Sequence, residues 1–425
     1  MQRDASTLTS QELIRDLGEK AKAASTALVD VSEEDINKAL CATAKALRAK
    51  TSFIIDKNKL DIQRAQARGL SRAQIDRLML DDDRIEAMAT SLEDIARLPD
   101  PVGRQIDSKN RPNGMTIDKV TIPFGVLGLI YESRPNVTID AAALALKSHN
   151  AIILRGGSES LSSSLALHTV FTKVLEDHGL PADAVGIVRV SDRSVVTEML
   201  HADYYIDVMI PRGGPGLIER VTREAKMPVF AHLDGICHVY LHEDADPDIA
   251  RAVTLNAKMR RTGICGAAET LLVDKNFPED KAKAIVKELL DIRCEVIGDT
   301  KAQSYDSRVG LAKDIDWATE YLDAKISVKH VKNIQDAIEH INHFGSHHTD
   351  SIITSNEKAA GDFFKYVDSG IVMHNTSTQF ADGGEFGMGA EIGISTGKLH
   401  ARGPVGLEQL VTYKYLVKGS GQTRP

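Results

Sequence analysis

The sequence has few aromatic residues, few cysteines and no long apolar run. Aromatic residues make up 5% of the 425 residues, whereas 42% are hydrophobic, so we expect an aliphatic core. The cysteines, Cys41, Cys237, Cys265 and Cys294, lie far apart and form no CxxC pair. This spacing argues against a disulfide framework and favours a reducing compartment. A polar start and the lack of an apolar run long enough to cross a bilayer predict a cytoplasmic protein.

Acidic residues outnumber basic ones, 60 against 52, and the formal net charge is −8. This excess argues against nucleic acid or an anionic membrane as a general partner, because both would be repelled. Any anionic ligand must therefore be bound by a local group of basic residues. The chain is long enough for about two or three domains.

The N-terminal part of the chain predicts a helical layer. Residues 8–97 are alanine-rich and charged, and Ser32-Glu-Glu-Asp35 has the composition of a helix N-terminus. Pro99 and Pro101 end this block. The apolar residues after Ser32 recur at helical spacing: Ile36, Leu40, Ala44 and Leu47.

A different pattern begins near residue 119, where apolar runs of strand length alternate with helical segments. This alternation predicts a doubly wound parallel sheet, which binds ligands beyond the carboxyl ends of its strands, where the strand order reverses. The predicted strands cover residues 126–131, 151–154, 184–190, 205–210 and 228–231.

Two glycine turns after predicted strands are suited to a phosphate-bearing ligand. They are Arg155-Gly156-Gly157 and Arg212-Gly213-Gly214. In each, glycines allow close backbone approach to an anion, an arginine supplies charge, and a helix N-terminus follows. Neither turn is the GxGxxG dinucleotide fingerprint, and each alone is a weak signal. Together they favour nucleotide binding.

A second alternating set of strands and helices follows Cys237 and predicts a second α/β domain. Within it, Asn333 is the expected cap of a helix that ends at Gly345. The tail from residue 375 is rich in glycine, and residues 411–417 have the pattern of an edge strand that could pair within the chain or across a subunit boundary.

Cys265 is the candidate nucleophile, on a predicted loop between a helix and a strand. The helix is expected to start at Asp246-Pro-Asp, and Thr262-Gly263 would end it. Its repeating residues predict one face made of Ile249, Val253 and Asn256.

Basic residues before Cys265 favour a reactive thiol. Lys258, Arg260 and Arg261 would stabilise the thiolate, the nucleophilic form, if the backbone turns their charges toward the sulfur. The alternative is that Cys265 is a small buried hydrophobic residue, the commoner fate of a cysteine inside a cell.

Four histidines between residues 340 and 348 raise the question of a metal site. Their spacing is not HExxH, no cysteine is near, and Gly345 places the last two on a loop. We therefore predict no metal. The residues are His340, His343, His347 and His348.

Several stretches together resemble the aldehyde dehydrogenase superfamily, and within it the branch that reduces an acyl phosphate of glutamate. The resemblance covers nearly the whole chain, including residues 331–352. Gly266 departs from it, because asparagine is expected after the cysteine. The matching stretches are Tyr131-Glu-Ser-Arg-Pro-Asn-Val-Thr138, Ile153-Leu-Arg-Gly-Gly157, Ile210-Pro-Arg-Gly-Gly214, Asn256-Ala-Lys258 with Cys265, and Lys398-Leu-His-Ala-Arg-Gly-Pro404.

The resemblance implies an α/β fold with a doubly wound cofactor domain, a second α/β catalytic domain and a small β-extension for oligomerisation. It also implies a homo-oligomer and a possible partner, glutamate 5-kinase. The implied cofactor domain comprises residues 1–110 and 128–238 with about 376–400, the catalytic domain 239–375, and the oligomerisation segment 111–127 and 401–425.

The activity implied by the resemblance is NADPH-dependent reduction of L-glutamate 5-phosphate to L-glutamate 5-semialdehyde and phosphate, in L-proline biosynthesis. Cys265 would form a thioester, and its backbone N–H with the Asn136 amide would stabilise the oxyanion. The expected substrate-binding residues are Arg134, Arg261 and Arg402. The expected cofactor-binding residues are Arg155, Gly156, Gly157, Arg212, Gly213 and Gly214.

Three alternatives stay open on the sequence. An oxidising aldehyde dehydrogenase needs a base for thioester hydrolysis, and Ala231-His-Leu-Asp-Gly235 has no glutamate for that role, although His232 could serve. A non-catalytic binding module is opposed by the complete nucleophile loop. An acyl transferase without cofactor is opposed by the two glycine turns.

Overall fold

The computed structural model describes residues 8–132, 134–231 and 233–424. In that part of the chain, no helix is long and apolar enough to span a membrane. The chain divides into two compact units, and the roles assigned above to the domains stay predictions. Unit 1 comprises Met1–Ala231, Gly387–Gly393 and Val405–Pro425, and unit 2 comprises His232–Phe386 and Ile394–Pro404.

Unit 1 begins with a helical layer, as predicted. Thr9 and Glu12 form a capping box at the first helix, and Ser32 caps the second by accepting from the Asp35 N–H. The predicted apolar face of the second helix is confirmed, since all its members are buried. The helices are α1 (Ser10–Leu28), α2 (Glu33–Ala49), α3 (Thr51–Ala67), α4 (Arg72–Leu78) and α5 (Asp82–Arg97).

A hairpin and then a parallel sheet follow the helices of unit 1. The hairpin strands, β1 (Gln105–Asn110) and β2 (Thr116–Pro123), are antiparallel. The parallel strands are β3 (Val126–Tyr131), β4 (Ala151–Gly156), β5 (Val185–Ile187) and β6 (Val208–Arg212). The accompanying helices are α6 (Val137–Lys147), α7 (Leu161–Asp177), α8 (Ser194–Leu200) and α9 (Pro215–Glu224).

The parallel sheet of unit 1 has the order β5-β4-β3-β6, so the strand order reverses at β3. Tyr131 at the end of β3 is in register with Gly156 on one side and Arg212 on the other. The predicted doubly wound sheet is confirmed, and both glycine turns lie at the carboxyl edge next to β3.

Unit 2 contains a parallel sheet of order β10-β9-β11-β8-β7-β12-β13. Strands β7 and β8 are buried along their whole lengths, which agrees with helices covering both faces. The strands are β7 (Cys237–Leu241), β8 (Ala268–Asp274), β9 (Glu295–Gly298), β10 (Gly310–Leu311), β11 (Lys325–Val331), β12 (Thr349–Ile353) and β13 (Ile371–His374). The helices are α10 (Pro247–Met259), α11 (Glu279–Asp291), α12 (Thr300–Gln303), α13 (Ile334–Phe344) and α14 (Glu357–Tyr366).

The last strands are β14 (Gly393–Ser395), β15 (Gly403–Val405) and β16 (Val411–Lys418). β14 pairs with β15. β16 runs antiparallel to β2 and, among the described strands, lies at the edge of the sheet β1-β2-β16. The predicted edge strand at residues 411–417 is therefore confirmed. Short 3-10 helices occupy Ala182–Ala184, Asp314–Ala318, Thr378–Phe380 and Leu407–Leu410.

Three strand predictions in unit 1 are wrong in extent. The strand predicted at 205–210 is β6 (Val208–Arg212), which starts and ends later. Residues 228–231 form only a bridge, in which Met209 N–H donates to Pro228 O and Phe230 N–H donates to Met209 O. Pro228 has no N–H of its own to extend the ladder. The strand predicted at 184–190 is limited to Val185–Ile187, and a 3-10 turn ends at Ala184, directly before it.

Candidate active site

Cys265 lies on the loop formed by residues 260–267, which we call the nucleophile loop. As predicted, this loop joins the end of α10 to the start of β8. Asp246 caps α10 through two backbone N–H groups, and a turn from Ala267 N–H to Ile264 O at 2.9 Å precedes the strand. Cys265 is half-buried there, so the loop presents its thiol without exposing it fully.

The face of α10 that carries Ile249, Val253 and Asn256 is not its buried face. Ile249 is 39% exposed and Asn256 is exposed, whereas the buried residues include Thr254 and Lys258. A lysine can occupy the buried face because a carboxylate meets it. Lys258 Nζ donates to Glu269 Oε2 at 2.5 Å, and both side chains have zero exposure.

This pairing changes the electrostatics expected around the thiol. The charge of Lys258 is engaged by Glu269, while Arg260 and Arg261 are exposed to solvent. Burial raises the pKa of Glu269 to about 7, against the opposing pull of Lys258. The sequence contained both residues, but only the fold shows that they meet.

The residues that support Cys265 from the neighbouring strand were missed by the sequence analysis. A Cβ built on Gly235 would lie 2.2 Å from Cys265 O, so the two backbones are in direct contact and residue 235 must be glycine. Cys237 Sγ donates to the same Cys265 O at 3.1 Å and lies 3.7 Å from His348 Nδ1. Burial is the main cause that raises the pKa of the Cys237 thiol, so it stays a neutral donor.

The side chain of Gln379 links two backbone carbonyl groups at the C-terminal end of α10. Its Nε2 donates to Ala257 O at 2.9 Å and to Arg261 O at 3.1 Å. Gly266 lies against the same segment, because a Cβ there would be 3.0 Å from Thr378 O. The small residue after Cys265 therefore fits the close approach of this backbone.

The predicted substrate-binding residues of unit 2 have different surroundings. The Arg261 side chain is exposed. The Arg402 guanidinium is half-buried and bonds to Asp368, through Nη1 to Oδ1 at 2.9 Å and through Nη2 to the backbone O at 3.0 Å. Lys398 Nζ also contacts Asp368, at 2.6 Å, and these cations lower the pKa of its carboxyl group. Arg402 would thus have to share its charge between Asp368 and a ligand.

In unit 1, Arg134 and Asn136 lie on the loop between β3 and α6, and both are exposed. Asn136 Nδ2 donates to Asp140 Oδ2 at 3.0 Å. Since an amide carries two N–H groups, one remains for another acceptor. The proposed oxyanion role of Asn136 stays a prediction.

The first glycine turn extends β4. A Cβ on Gly156 would lie 3.0 Å from the Tyr131 ring, so this position has no room for a side chain. Arg155 is half-buried, burial lowers its pKa, and its Nε has no hydrogen-bond partner among the described residues. The Glu159 carboxylate lies over Gly157, where a built Cβ would overlap it.

The second glycine turn holds a carboxylate that sequence reasoning missed. Gly214 N–H, just before α9, donates to Glu132 Oε2 at 2.9 Å. A Cβ on Gly213 would lie 2.7 Å from Glu132 Cδ, so glycine there admits the glutamate. The predicted anion position at this helix N-terminus is thus occupied by the protein's own carboxylate.

Three of the four histidines between residues 340 and 348 make hydrogen bonds to separate partners, and the ring of His343 contacts that of Phe344. His340 Nδ1 accepts from Lys329 Nζ at 2.9 Å, His347 Nδ1 contacts Asp368 O, and His348 Nδ1 contacts Thr349 Oγ1 at 2.8 Å. Burial lowers the pKa of His340 to about 2, so it stays neutral. His232, the base considered for an oxidising enzyme, lies outside the described residues.

Comparisons with known proteins identify the family of the chain. The model of the aldehyde dehydrogenase family matches residues 6–306. A gamma-glutamyl phosphate reductase from Paramagnetospirillum magneticum is 56% identical over 97% of this chain and 98% of its own length.

Solved structures agree as well. That of gamma-glutamyl phosphate reductase from Thermotoga maritima is 42% identical, covers 97% of this chain and 100% of its own, and has a TM-score of 0.95. An acetylating aldehyde dehydrogenase from Geobacillus thermoglucosidasius, at 18% identity and a TM-score of 0.70 over 100% of both chains, shares the fold. The chain is therefore an oxidoreductase of the aldehyde dehydrogenase family, within its gamma-glutamyl phosphate reductase branch.

Proposed function

We propose that the chain reduces L-glutamate 5-phosphate to L-glutamate 5-semialdehyde and phosphate with NADPH, in L-proline biosynthesis. The observation that carries this proposal is a half-buried thiol on a supported helix-to-strand loop, in a chain 56% identical over nearly its full length to a gamma-glutamyl phosphate reductase. We expect the enzyme to act in the cytoplasm.

In the proposed reaction, the Cys265 thiolate attacks the acyl carbon and the C–O bond to phosphate breaks, so phosphate leaves with the electron pair. The Cys265 backbone N–H and the Asn136 amide are the proposed donors to the oxyanion. A thioester remains electrophilic, which suits it to the second step. NADPH, when bound, supplies the hydride that releases the aldehyde and returns the thiolate.

Several features of unit 1 fit a dinucleotide. Both glycine turns lie at the carboxyl edge beside β3, and Arg155 Nε is buried without a partner among the described residues. Arg155, Gly156, Gly157, Arg212, Gly213 and Gly214 are the residues proposed to hold it. Since Glu132 and Glu159 stand beside the turns, the proposed preference for NADPH over NADH depends on the charge of Arg155.

The proposed substrate carries a carboxylate and a phosphate, and Arg134, Arg261 and Arg402 are the proposed contacts. The exposed guanidinium of Arg261 is the one nearest to Cys265 in sequence. Arg402 is bonded to Asp368, so we expect its variants to change KM through that pair.

We also propose a homo-oligomer that uses β16. Its outward side chains include Tyr413, Tyr415 and Val417, which are 48%, 59% and 58% exposed. An exposed apolar edge strand is a surface for pairing with a second copy. Sedimentation of the full chain tests this assembly. A partner glutamate 5-kinase that delivers the labile acyl phosphate stays a proposal.

The proposed activity is tested in reverse. Enzyme, NADP, pyrroline-5-carboxylate and phosphate are mixed, and NADPH formation is followed by absorbance. We expect phosphate-dependent turnover that Cys265→Ala abolishes and that the control Cys41→Ala, a half-buried cysteine in unit 1, retains. Turnover independent of phosphate would indicate a hydrolytic aldehyde dehydrogenase, and no turnover with either dinucleotide would contradict the assignment.

A further inference from the structure

The buried ion pair of Lys258 and Glu269 joins the two ends of the nucleophile loop. Lys258 is in the last turn of α10 and Glu269 is the second residue of β8. Their contact at 2.5 Å therefore links the helix before the loop to the strand after it, close to both ends of the loop. Glu269 Oε1 also accepts from Leu322 N–H at 3.3 Å, so both carboxylate oxygens are engaged.

Stability alone is a weak reason for such a pair. Removing two charges from water costs about as much as their attraction returns, and apolar residues of similar volume often serve the core equally well. The Lys147–Glu33 pair of unit 1 offers a contrast, because its lysine is buried but its glutamate side chain is 43% exposed. The pair under Cys265 has no exposure on either side, which points to a geometric role.

We propose that Lys258 and Glu269 are a positioning pair that fixes the nucleophile loop, and with it the Cys265 thiol and backbone N–H, for attack on the acyl carbon. This inference rests on the proposed function. Neither residue is expected to touch the substrate, since both are fully buried. At a pH above the Glu269 pKa of about 7 the carboxylate balances the ammonium group of Lys258, so the simultaneous removal of both leaves the local charge unchanged and isolates the geometric effect.

The test replaces the pair by apolar residues in the full chain, K258M with E269L. We expect the unfolding midpoint to stay within a few degrees of the wild type. The kcat of the reverse reaction should fall at least about tenfold, with KM for pyrroline-5-carboxylate changed less than about threefold, because small displacements of a reacting group lower the rate strongly. The matched control is K147M, which removes a buried lysine far in sequence from Cys265.

Hydrogen exchange gives a second measurement that does not depend on the substrate. The amides of residues 260–267 should exchange faster in the double variant than in the wild type and unchanged in K147M. Unchanged exchange together with wild-type kcat in the folded double variant would overturn the inference. If the double variant does not fold, E269Q, which keeps the shape of the side chain, is measured in the same way and judged by the same results. A wild type that lacks turnover contradicts the proposed function, whereas the exchange result still decides the inference.

Discussion

The nucleophile loop and the glycine turns differ in how their backbones are held. Behind Cys265 the contacts are buried: a glycine against the backbone, a neutral thiol on the carbonyl, and a fully buried ion pair. At the turns beside β3, the charged groups Arg155, Arg212 and Glu132 are half-buried or exposed. A covalent step needs a fixed nucleophile, whereas a cofactor that enters and leaves needs groups that can change partners.

Among the variants of the nucleophile loop and its supports, Gly235→Ala should have the largest effect. The new Cβ would lie 2.2 Å from Cys265 O, and a backbone atom cannot move aside cheaply. Overpacking of this kind costs about 1–3 kcal/mol in the free energy of unfolding, and a displacement of about 1 Å at the thiol would reduce kcat about a hundredfold. Gly361→Ala is the matched control, since a Cβ on this helical glycine meets nothing within 4 Å. An active, stable Gly235→Ala enzyme would contradict the close contact.

Cys237→Ala removes the hydrogen bond to Cys265 O and the longer contact with His348 Nδ1, and it should have a smaller effect. Such a bond contributes about 0.5–1.5 kcal/mol, so kcat should fall about two- to tenfold. Cys237→Ser keeps a donor at the same position and should recover most of that loss. Steady-state kinetics on both variants decide the matter, and equal kinetics for the alanine and serine variants would show that the donor has no role.

At the second glycine turn, Glu132→Gln should tighten NADPH binding. The substitution removes the negative charge from the N–H of Gly214, where a cofactor phosphate is expected. A charge at a helix N-terminus is worth about 0.3–1 kcal/mol, so Kd measured by NADPH fluorescence should fall about two- to fivefold. Glu219→Gln, an exposed position on the same helix, serves as the control. Weaker binding in Glu132→Gln would show instead that the carboxylate contacts the cofactor.

The last prediction concerns the effect of pH on stability rather than on catalysis. Burial raises the pKa of Glu269 from an ordinary 4.5 to about 7, so the folded state binds a proton that the unfolded state releases between these values. The contribution of Glu269 to stability is therefore fully present below about pH 4.5 and lost as the pH rises through about 7. Urea unfolding of the wild type and Glu269→Gln at pH 5 and 7.5 measures this, and the stability of the wild type relative to the variant should be lower at pH 7.5. An equal difference at both pH values would contradict the raised pKa.

Local patterns predicted much of the architecture. Glycines after apolar runs located both turns at strand ends, and Asp246-Pro followed by Thr262-Gly263 located Cys265 between a helix and a strand. These signals are local, because caps, helix breaks and strand length depend on neighbouring residues.

The supporting contacts were not predictable in the same way. Gly235 and Cys237 meet Cys265 only because β7 pairs with β8, a contact across about thirty residues that no local pattern encodes. The burial of Lys258 was not predicted, because lysines are rarely fully buried and the carboxylate that permits its burial lies on a different element. Glu132 reaches Gly214 through the neighbouring strand in the same way.

The most direct test of the central claim is a single turnover without phosphate. Enzyme at a concentration above about 1 μM is mixed with NADP and pyrroline-5-carboxylate. The NADPH formed and the mass of the protein are then measured on the same sample. The account predicts at most one NADPH per chain and a glutamyl adduct on the Cys265 peptide, which added phosphate removes. An adduct on another residue, or NADPH formation without any adduct, would contradict Cys265 as the nucleophile.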